Sequence, residues 1–529
     1  MSRAAGDAGD LGLVATLTAR PPAAASELAS LPRSVRCLEV RADLTGDLDP
    51  GWLRARFGGE LLYSLRSRGQ GGRFEGPPAD RRRRLLQAAE HYDLVDLEAD
   101  GDLEPELLGR IPWRRRVVSW HGRAARAAEL GRRFERMAAA PARLYRLAPA
   151  AAAIEQALAP LELLRALRRR DVTAFATGPA ATWTRLLAPY LGAPVAFGLA
   201  GPGDGTDTTG NGATAPGNGP DTAGALSVED LAGDYGFPGA PAPSELYGIV
   251  GSPGSVGRSL SPRLHNAGYR ALGLPGLYLP FPVEGFRRFW REVVGHGLPA
   301  LGLPLRGLTV TAPHKEAALA AAGTASPLAR RAGAANVLRR DPRREAVAGR
   351  WWAATTDAVG AVGALATTGV AIPGRKAAVI GCGGAGRAAA AGLRRAGADV
   401  TLVNRSLARG RYAARLLGLD FLPLAEFSPE TFSLVVHATP LTEPPFRVGS
   451  LNRYAVVLDL GYGAAPTPLA ATARAHGRTV VDGFQVLLVE VRRQFRLMTG
   501  RRLPSGLARA LLDKGATAGN GTQVELMEV

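Results

Sequence analysis

Residues 376 to 406 read "KAAVIGCGGAGRAAAAGLRRAGADVTLVNRS". An apolar β-run leads into G-x-G-x-x-G at Gly381, Gly383 and Gly386, an alanine-rich helical stretch follows, and "VTLVN" supplies a second strand. Glycine patterns by themselves are common. Between a strand and a helix inside a βαβ unit, this one reads as a dinucleotide fingerprint, whose glycines let the backbone approach a pyrophosphate at the helix N-terminus. Gly384 and Ala385 complete the turn. Where the second strand ends, an NAD-binding chain usually places Asp or Glu against the ribose hydroxyls; this chain has Asn404, Arg405 and Ser406, with Arg409 one turn on. Guanidinium groups attract a 2′-phosphate that a carboxylate would repel, so the expected cofactor is NADP.

Around that unit lies a long chain of 529 residues, 46% hydrophobic, enough for about three domains. No window reaches the roughly 18 apolar residues of a membrane span, and the start "MSRAAGDAGD" lacks a signal-peptide core, so a cytoplasmic protein without membrane partners is expected. Cys37 and Cys382 lie far apart without metal-type spacing, which argues against a disulfide framework or a zinc site. The formal charge of +18 raises the question of nucleic acid, but the arginines are scattered and the dense run "RRRR" at 81 to 84 opens a helix-like stretch. No nucleic-acid reader accompanies the charge, and anionic small molecules fit better.

Upstream, the segment "GPGDGTDTTGNGATAPGNGPDTAG" (201 to 224) has almost no large apolar residue and is expected to be a loop or linker, and "GFPGAPAPSE" (236 to 245) marks the main boundary. Before them, eight short β-rich runs alternate with helical lengths: "LVATLTA", "CLEVRAD", "LLYSLR", "LVDLE", "RVVSWH", "LYRLAP", "TAFATG" and "PVAFG". Eight such repeats predict a closed parallel (β/α)8 barrel, with function at the carboxyl ends of the strands. Those ends hold Glu39, Arg41, Arg66, Glu98, His121 and Arg146, with Arg185 in the helix start after the seventh strand. Ionisable groups of both signs at one relative place point to an anion-binding pocket.

The stretch "YGIVGSPGSVGRSLSPRLHNAGYRALGLPGLYLPFPV" (247 to 283), with its S-x-S-P-x-x-H-N core, resembles the opening of shikimate dehydrogenases. "LTVTAPHKEAAL", "AGAANVL", "TTDAVG", "GCGGAGRA", "NRS", "HATP", "DLGY" and "DGFQVLLVEVRRQFRLMTG" follow in the family's order, from about 245 to 505. The resemblance implies NADPH-dependent reduction of 3-dehydroshikimate to shikimate, with Lys315 as proton donor and Asp357 as its partner. It also implies substrate contacts from Ser259, Ser261, Thr309, Thr311, Asn336, Tyr462 and Glu490. Thr439, Leu460 and Gly483 match positions on the cofactor side. Lys315 is one of only three lysines among 65 basic residues, and a lysine can release a proton where an arginine cannot. Thr309, Thr355 and His437 depart from the family pattern, and Glu490 stands where the family has a substrate-binding Gln.

Residues 13 to 232 are similar to type I 3-dehydroquinate dehydratases, through "LEVRAD", "SLRSRGQGGRFEG", "LVDLE", "VVSWH", "TGPAATWTR" and "ALSVEDL". That family dehydrates through an imine on a lysine in the sixth strand, with a histidine matched by His121 as the proton acceptor. Here the sixth strand offers Arg146, and no lysine precedes Lys315. The lid reads "AGALS", with Ala225 at the glutamine place. The expected protein is therefore an inactive or repurposed dehydratase-like barrel over 1–240 joined to a shikimate dehydrogenase. Its substrate-binding domain spans 245–355, its Rossmann NADP-binding domain 356–482, a returning C-terminal helix 483–510 and a tail 511–529. A metabolite-sensing pseudoenzyme and a quinate or cyclitol dehydrogenase stay open as alternatives. Lys315 with Asp357 argues against the first, and the two serines favour shikimate over the second.

Overall fold

The computed structural model describes residues 12–123, 126–202, 224–341, 351–441, 443–463 and 465–517. The glycine-rich segment 201–224 falls, except for its ends, outside the described residues, as does the tail beyond 517. The chain forms two compact units. The first comprises Met1–Leu246, Pro253–Asn266 and Pro275–Leu305, and the second Tyr247–Ser252, Ala267–Leu274 and Arg306–Val529.

In the first unit every expected barrel run is a strand. They are β1 (Gly12–Leu17), β2 (Val35–Arg41), β3 (Glu60–Ser64), β4 (Leu94–Glu98), β5 (Arg116–Trp120), β6 (Leu144–Leu147), β7 (Val172–Ala174) and β8 (Val195–Leu199). All ladders are parallel, in the order β7-β6-β5-β4-β3-β2-β1-β8. Between β7 and β8 the Thr173 hydroxyl bridges to the Val195 carbonyl at 3.3 Å. Because side chains alternate along a strand, Glu39 and Arg41 share one face of β2 while Leu38 and Val40 take the other; Asp96 and Glu98 do the same around Leu97 in β4. The apolar sets bury against the surrounding helices and the polar sets meet inside. Each arginine of the run 81 to 84, on helix Pro78–His91, has an acidic partner: Asp102, Glu104, Asp80 and Asp47 in turn. Helix Thr182–Leu187 seats Trp183 on Phe281 of β10 (Gly276–Pro282), with ring centroids 5.6 Å apart.

The second unit carries two sheets. One runs β9 (Glu245–Gly251), β11 (Leu305–Val310), β13 (Val337–Arg340), β14 (Trp351–Ala354), β12 (Thr324–Ala325), with β13 antiparallel to both neighbours. The other consists of β15 (Lys376–Ile380), β16 (Asp399–Asn404), β17 (Asp420–Pro423), β18 (Leu434–His437), β19 (Val456–Asp459) and β20 (Thr479–Val481). These are all parallel, in the order β17-β16-β15-β18-β19-β20. This is the doubly wound order, whose direction reverses between β15 and β18. Both faces are apolar: Ala377 and Val379 join one core with helices Asp357–Thr367 and Gly384–Arg395, and Ala378 and Ile380 join another with helix Pro468–Ala475. No helix among the described residues is long and apolar enough to cross a membrane.

Candidate functional site

The barrel mouth gathers Thr16, Glu39, Arg41, Arg66, His121, Arg146, Arg185, Phe175, Phe197 and Ala225 around one pocket. Glu98, expected there, is turned aside: its carboxylate accepts from the Ser67 amide and hydroxyl, at 2.8 and 2.6 Å, and faces Arg81 at 3.4 Å. Arg146 is 2% exposed and forks between two carboxylates, Glu39 at 2.7 Å and Asp96 at 2.5 Å. Arg66 reaches the same pair, Asp96 at 3.3 Å and Glu39 at 3.6 Å. Thr16 and Ser64 donate to Glu39, and Ser64 also contacts Asp96. Two guanidinium groups and two carboxylates thus compensate one another in the barrel centre.

Burial alone would lower the Arg146 pKa, but Glu39 and Asp96 outweigh it and raise it. That side chain stays a cation. Burial, then Arg66, Arg146, Arg41 and Arg185, hold His121 well below the usual imidazole value, so it is neutral at pH 7. Its Nδ1 has no hydrogen-bond partner among the described residues. Arg41 is held by Asp43 at 2.9 Å, and Arg185 stacks on Phe175 at 4.2 Å. A cavity of about 30 Å³ is left among these side chains.

In the second unit, Lys315 opens helix Lys315–Ala321 and Asp357 opens helix Asp357–Thr367, and Nζ meets Oδ1 at 2.7 Å. Asn336 donates to the same oxygen at 3.1 Å, and the Thr355 hydroxyl to Oδ2 at 3.3 Å. Asn336 is itself fixed. Its amide donates to the Thr356 hydroxyl at 2.9 Å, and its Oδ1 accepts from the Thr356 amide at 2.7 Å. Thr309 is buried at the end of β11, and the Thr311 amide binds the Val250 carbonyl at 2.9 Å. Glu490, on helix Gly483–Thr499, is half-buried against Gly360; partial removal from water first, and the Asp357 charge second, push its carboxyl up to about 8.

At the reversal of the parallel sheet, the glycine loop has the shape that a phosphate cradle requires. Gly381 has φ +110°, and a Cβ on Gly386 would lie 1.8 Å from the Gly381 carbonyl oxygen. Helix Gly384–Arg395 begins at Gly383 without a side-chain cap, leaving its first amides available, and space beside Gly383 is open. Asn404 accepts from the Cys382 amide at 3.2 Å, while Arg405, Ser406 and Arg409 are exposed at the end of β16. His437 bridges Asp459 at 3.1 Å and Thr439 at 2.6 Å. Gly483 packs on the Leu460 and Gly461 carbonyls, and Tyr462 lies against Phe484 at 5.7 Å. The loop and its surroundings suit a dinucleotide.

In the first unit, Ser259 accepts from the Ser261 amide at 3.2 Å at the start of helix Ser261–Ala271. Its neighbours in the S-x-S-P-x-x-H-N motif hold β10: His265 stacks on Tyr278 at 4.3 Å, and Asn266 brackets the Tyr278 amide and carbonyl at 2.8 and 3.0 Å.

The family model for type I 3-dehydroquinase matches residues 15–218, and that for the shikimate dehydrogenase substrate binding domain matches 249–338. A shikimate dehydrogenase (NADP(+)) from Syntrophobacter fumaroxidans is 32% identical over 274 residues, 50% of this chain and 90% of that protein. The chain belongs to the shikimate dehydrogenase family. Its dehydrogenase half is joined to a type I dehydroquinase domain. The bifunctional 3-dehydroquinate dehydratase/shikimate dehydrogenase of Arabidopsis thaliana aligns across both, 25% identical over 86% of this chain and 75% of its own length. The solved shikimate dehydrogenase of Aquifex aeolicus matches 51% of this chain and 97% of its own, at 26% identity and TM-score 0.46.

Some members of the chain's polar clusters were not legible in sequence. Asp96 sits mid-strand in "LVDLE", two residues before Glu98, and only that spacing signalled a shared face. Gln494 is one helical turn beyond Glu490 and donates to the Thr356 hydroxyl at 3.1 Å, supporting Asn336 from behind. Arg387, inside "GAGRA", reads as a helix-surface residue but is 3% exposed. It donates to the carbonyls of Ala332 at 2.7 Å and Cys382 at 3.0 Å, and to Glu316 at 2.7 Å.

Proposed function

We propose that the dehydrogenase half reduces 3-dehydroshikimate to shikimate with NADPH, and that the barrel half no longer performs imine-based dehydration. The observation that carries the first part is the Lys315–Asp357 pair at 2.7 Å, flanked by the neutral donors Asn336 and Thr355. The loop of Gly381, Gly383, Gly384, Ala385 and Gly386 would hold NADPH, whose chemistry there would be hydride donation. Lys315 gives a proton to the carbonyl oxygen as it becomes a hydroxyl, and Asp357 aims its Nζ. Thr309, Thr311, Asn336 and Tyr462 orient the ring. Arg405 and Arg409 face solvent where a carboxylate would select NAD, which supports NADP.

For the barrel, the support is Arg146 in the place of the imine-forming lysine. It is a buried cation with both ends of its fork occupied. Imine formation needs a neutral primary amine, which a guanidinium does not provide. The neutral His121 keeps the capacity to accept a proton, but among the described residues the cationic groups around it are arginines, and none is an amine that could form the imine. Steady-state assays of the full chain with shikimate, quinate and 3-dehydroquinate test both parts. Oxidation of shikimate with a preference for NADP⁺ over NAD⁺, no turnover of 3-dehydroquinate, and no mass adduct on the barrel after borohydride treatment with 3-dehydroquinate are expected. Equal efficiency with both nucleotides would refute the cofactor assignment, and a borohydride-trapped adduct would refute the loss of imine chemistry.

A further inference from the structure

We propose that His437 is a positioning residue for the cofactor: it fixes the direction of the Thr439 hydroxyl, so that the Thr439 oxygen is left as an acceptor for a hydrogen-bond donor on the nicotinamide half of NADP. The inference rests on the NADP-dependent dehydrogenase reading above. It begins at a residue that the family resemblance leaves unexplained. His437 departs from that pattern, yet it is 4% exposed and both of its ring nitrogens are engaged. It ends β18 and lies directly across the parallel ladder from Asp459, which ends β19. A carboxylate has only acceptor sites, so Nδ1, which faces Asp459 Oδ1 at 3.1 Å, carries the proton of that bond. Asp459 is held in this role. It is fully buried, its Oδ1 also accepts from the Gly461 amide at 3.1 Å, and its Oδ2 accepts from the Thr467 hydroxyl. Burial by itself would raise the Asp459 carboxyl, but the hydrogen bonds of His437, Thr467 and the Gly461 amide outweigh it and hold it below its ordinary value. In the neutral ring Nε2 then has only a lone pair, and the Thr439 hydroxyl, 2.6 Å away, must be the donor. Thr439 therefore gives its one proton to His437 and keeps a lone pair for a ligand. The Leu441 amide, at 3.4 Å, makes only a long and weak bond to the same oxygen.

Thr439 stands at the glycine loop. A Cβ on Gly381 would lie 2.9 Å from the Thr439 methyl carbon, so Thr439 packs on the first glycine of the fingerprint. The sheet order reverses between β15 and β18, and in a doubly wound sheet each half serves one mononucleotide. β15 and β16 lead to the loop and to Arg405 and Arg409, which mark the adenosine side; β18 and β19 lead to Thr439 and Leu460 on the other. An oxygen that only accepts is repelled by phosphate oxygens, which also only accept. It suits the carboxamide N–H or a ribose hydroxyl of the nicotinamide half, both of which donate.

Removing the ring should act through Thr439. H437L should weaken NADP⁺ binding to the full chain about 3- to 10-fold by calorimetry, the worth of one neutral hydrogen bond, and T439V should do so by a similar factor. Adding H437L to T439V should bring no further loss, because the two act in series. H437N, whose amide again joins a donor to an acceptor, should restore most of the affinity. Adenosine 2′,5′-bisphosphate, which lacks the nicotinamide half, should bind all of these proteins alike; a parallel loss for that fragment would mean that His437 merely holds the shape of the loop, and the proposal would fall. The acetylpyridine analogue of NADP⁺ has a methyl group in place of the carboxamide N–H₂. Indifference of its Kd to T439V identifies the carboxamide as the donor, and a loss equal to that of NADP⁺ identifies a ribose hydroxyl. Nitrogen-15 NMR gives a check without ligand. The chain has seven histidines, and the signal missing from H437N should show Nδ1 protonated and Nε2 bare at about pH 8, above the ordinary imidazole range. A proton on Nε2 would overturn the proposal. A protein that meets these binding expectations but oxidises no shikimate would instead sink the dehydrogenase reading and leave the role of His437 standing.

Discussion

In the proposed reaction Lys315 supplies a proton that no arginine of this chain could supply in its place. Its Nζ sits 2.7 Å from Asp357, and the ammonium can lose its proton to a developing alkoxide, whereas a guanidinium in the same place keeps all of its protons. K315R should preserve the charge and the ion pair yet lower kcat by about a hundredfold or more, with NADP⁺ affinity by fluorescence titration unchanged. Near-normal turnover of K315R would show that another group supplies the proton. Arg146 is the mirror case, an arginine where amine chemistry needs a lysine. Its removal should be felt in stability before activity: R146A leaves Glu39 and Asp96 buried with one cation fewer. A loss of about 3–5 kcal/mol is expected in denaturant unfolding of the barrel, and an unchanged midpoint would show the network to be dispensable.

At the scale of elements, the glycine loop is the most demanding piece of backbone in the site. G386A would drive a Cβ into the Gly381 carbonyl, at 1.8 Å before relaxation, so the loop must open. Overpacking of this kind costs about 1–3 kcal/mol, which should appear as a roughly 10- to 100-fold weaker NADP⁺ Kd by calorimetry. Wild-type affinity in G386A would mean that this turn does not cradle the phosphates. This loop and the eight barrel strands were readable in the sequence because each is a local pattern: glycines between strand and helix, and alternating β-rich runs at helical spacing. Roles fixed by distant partners were not readable. Asp96 becomes an ion-pair partner only when β6 brings Arg146 across from 50 residues away, and Gln494 reaches Thr356 over 138. β12, two residues long, carries too little pattern to announce itself. Glu98 has the right spacing for the pocket, yet Ser67 and Arg81 claim its carboxylate, a competition invisible in one strand's sequence.

Across the whole molecule, two groups, half-buried Glu490 and buried His121, give the stability opposite slopes with pH. Glu490 has a folded-state pKa raised from 4.5 to about 8, so the folded chain holds more protons than the unfolded chain in that window and stability falls as pH rises through it. His121 is lowered from 6.5, so below that value the unfolded chain takes up protons that the folded chain refuses, and stability falls as pH drops. Thermal denaturation followed across this range should show E490Q flattening the alkaline side and H121N the acid side, each leaving the other limb in place. Equal flattening of both limbs by one substitution would mean that these two groups are not its source. Arg387 adds a consequence of another kind. It grips the Cys382 carbonyl in the glycine loop and, through Glu316 and Ala332, the surroundings of the helix that Lys315 opens. Coupling between two ligands is reciprocal, so a nucleotide that tightens this clasp must itself be held more tightly, by the same factor, once the ring acid is bound. In R387A the shikimate Kd measured with and without NADP⁺ should converge, and the enzyme would then recognise its two partners as strangers to each other.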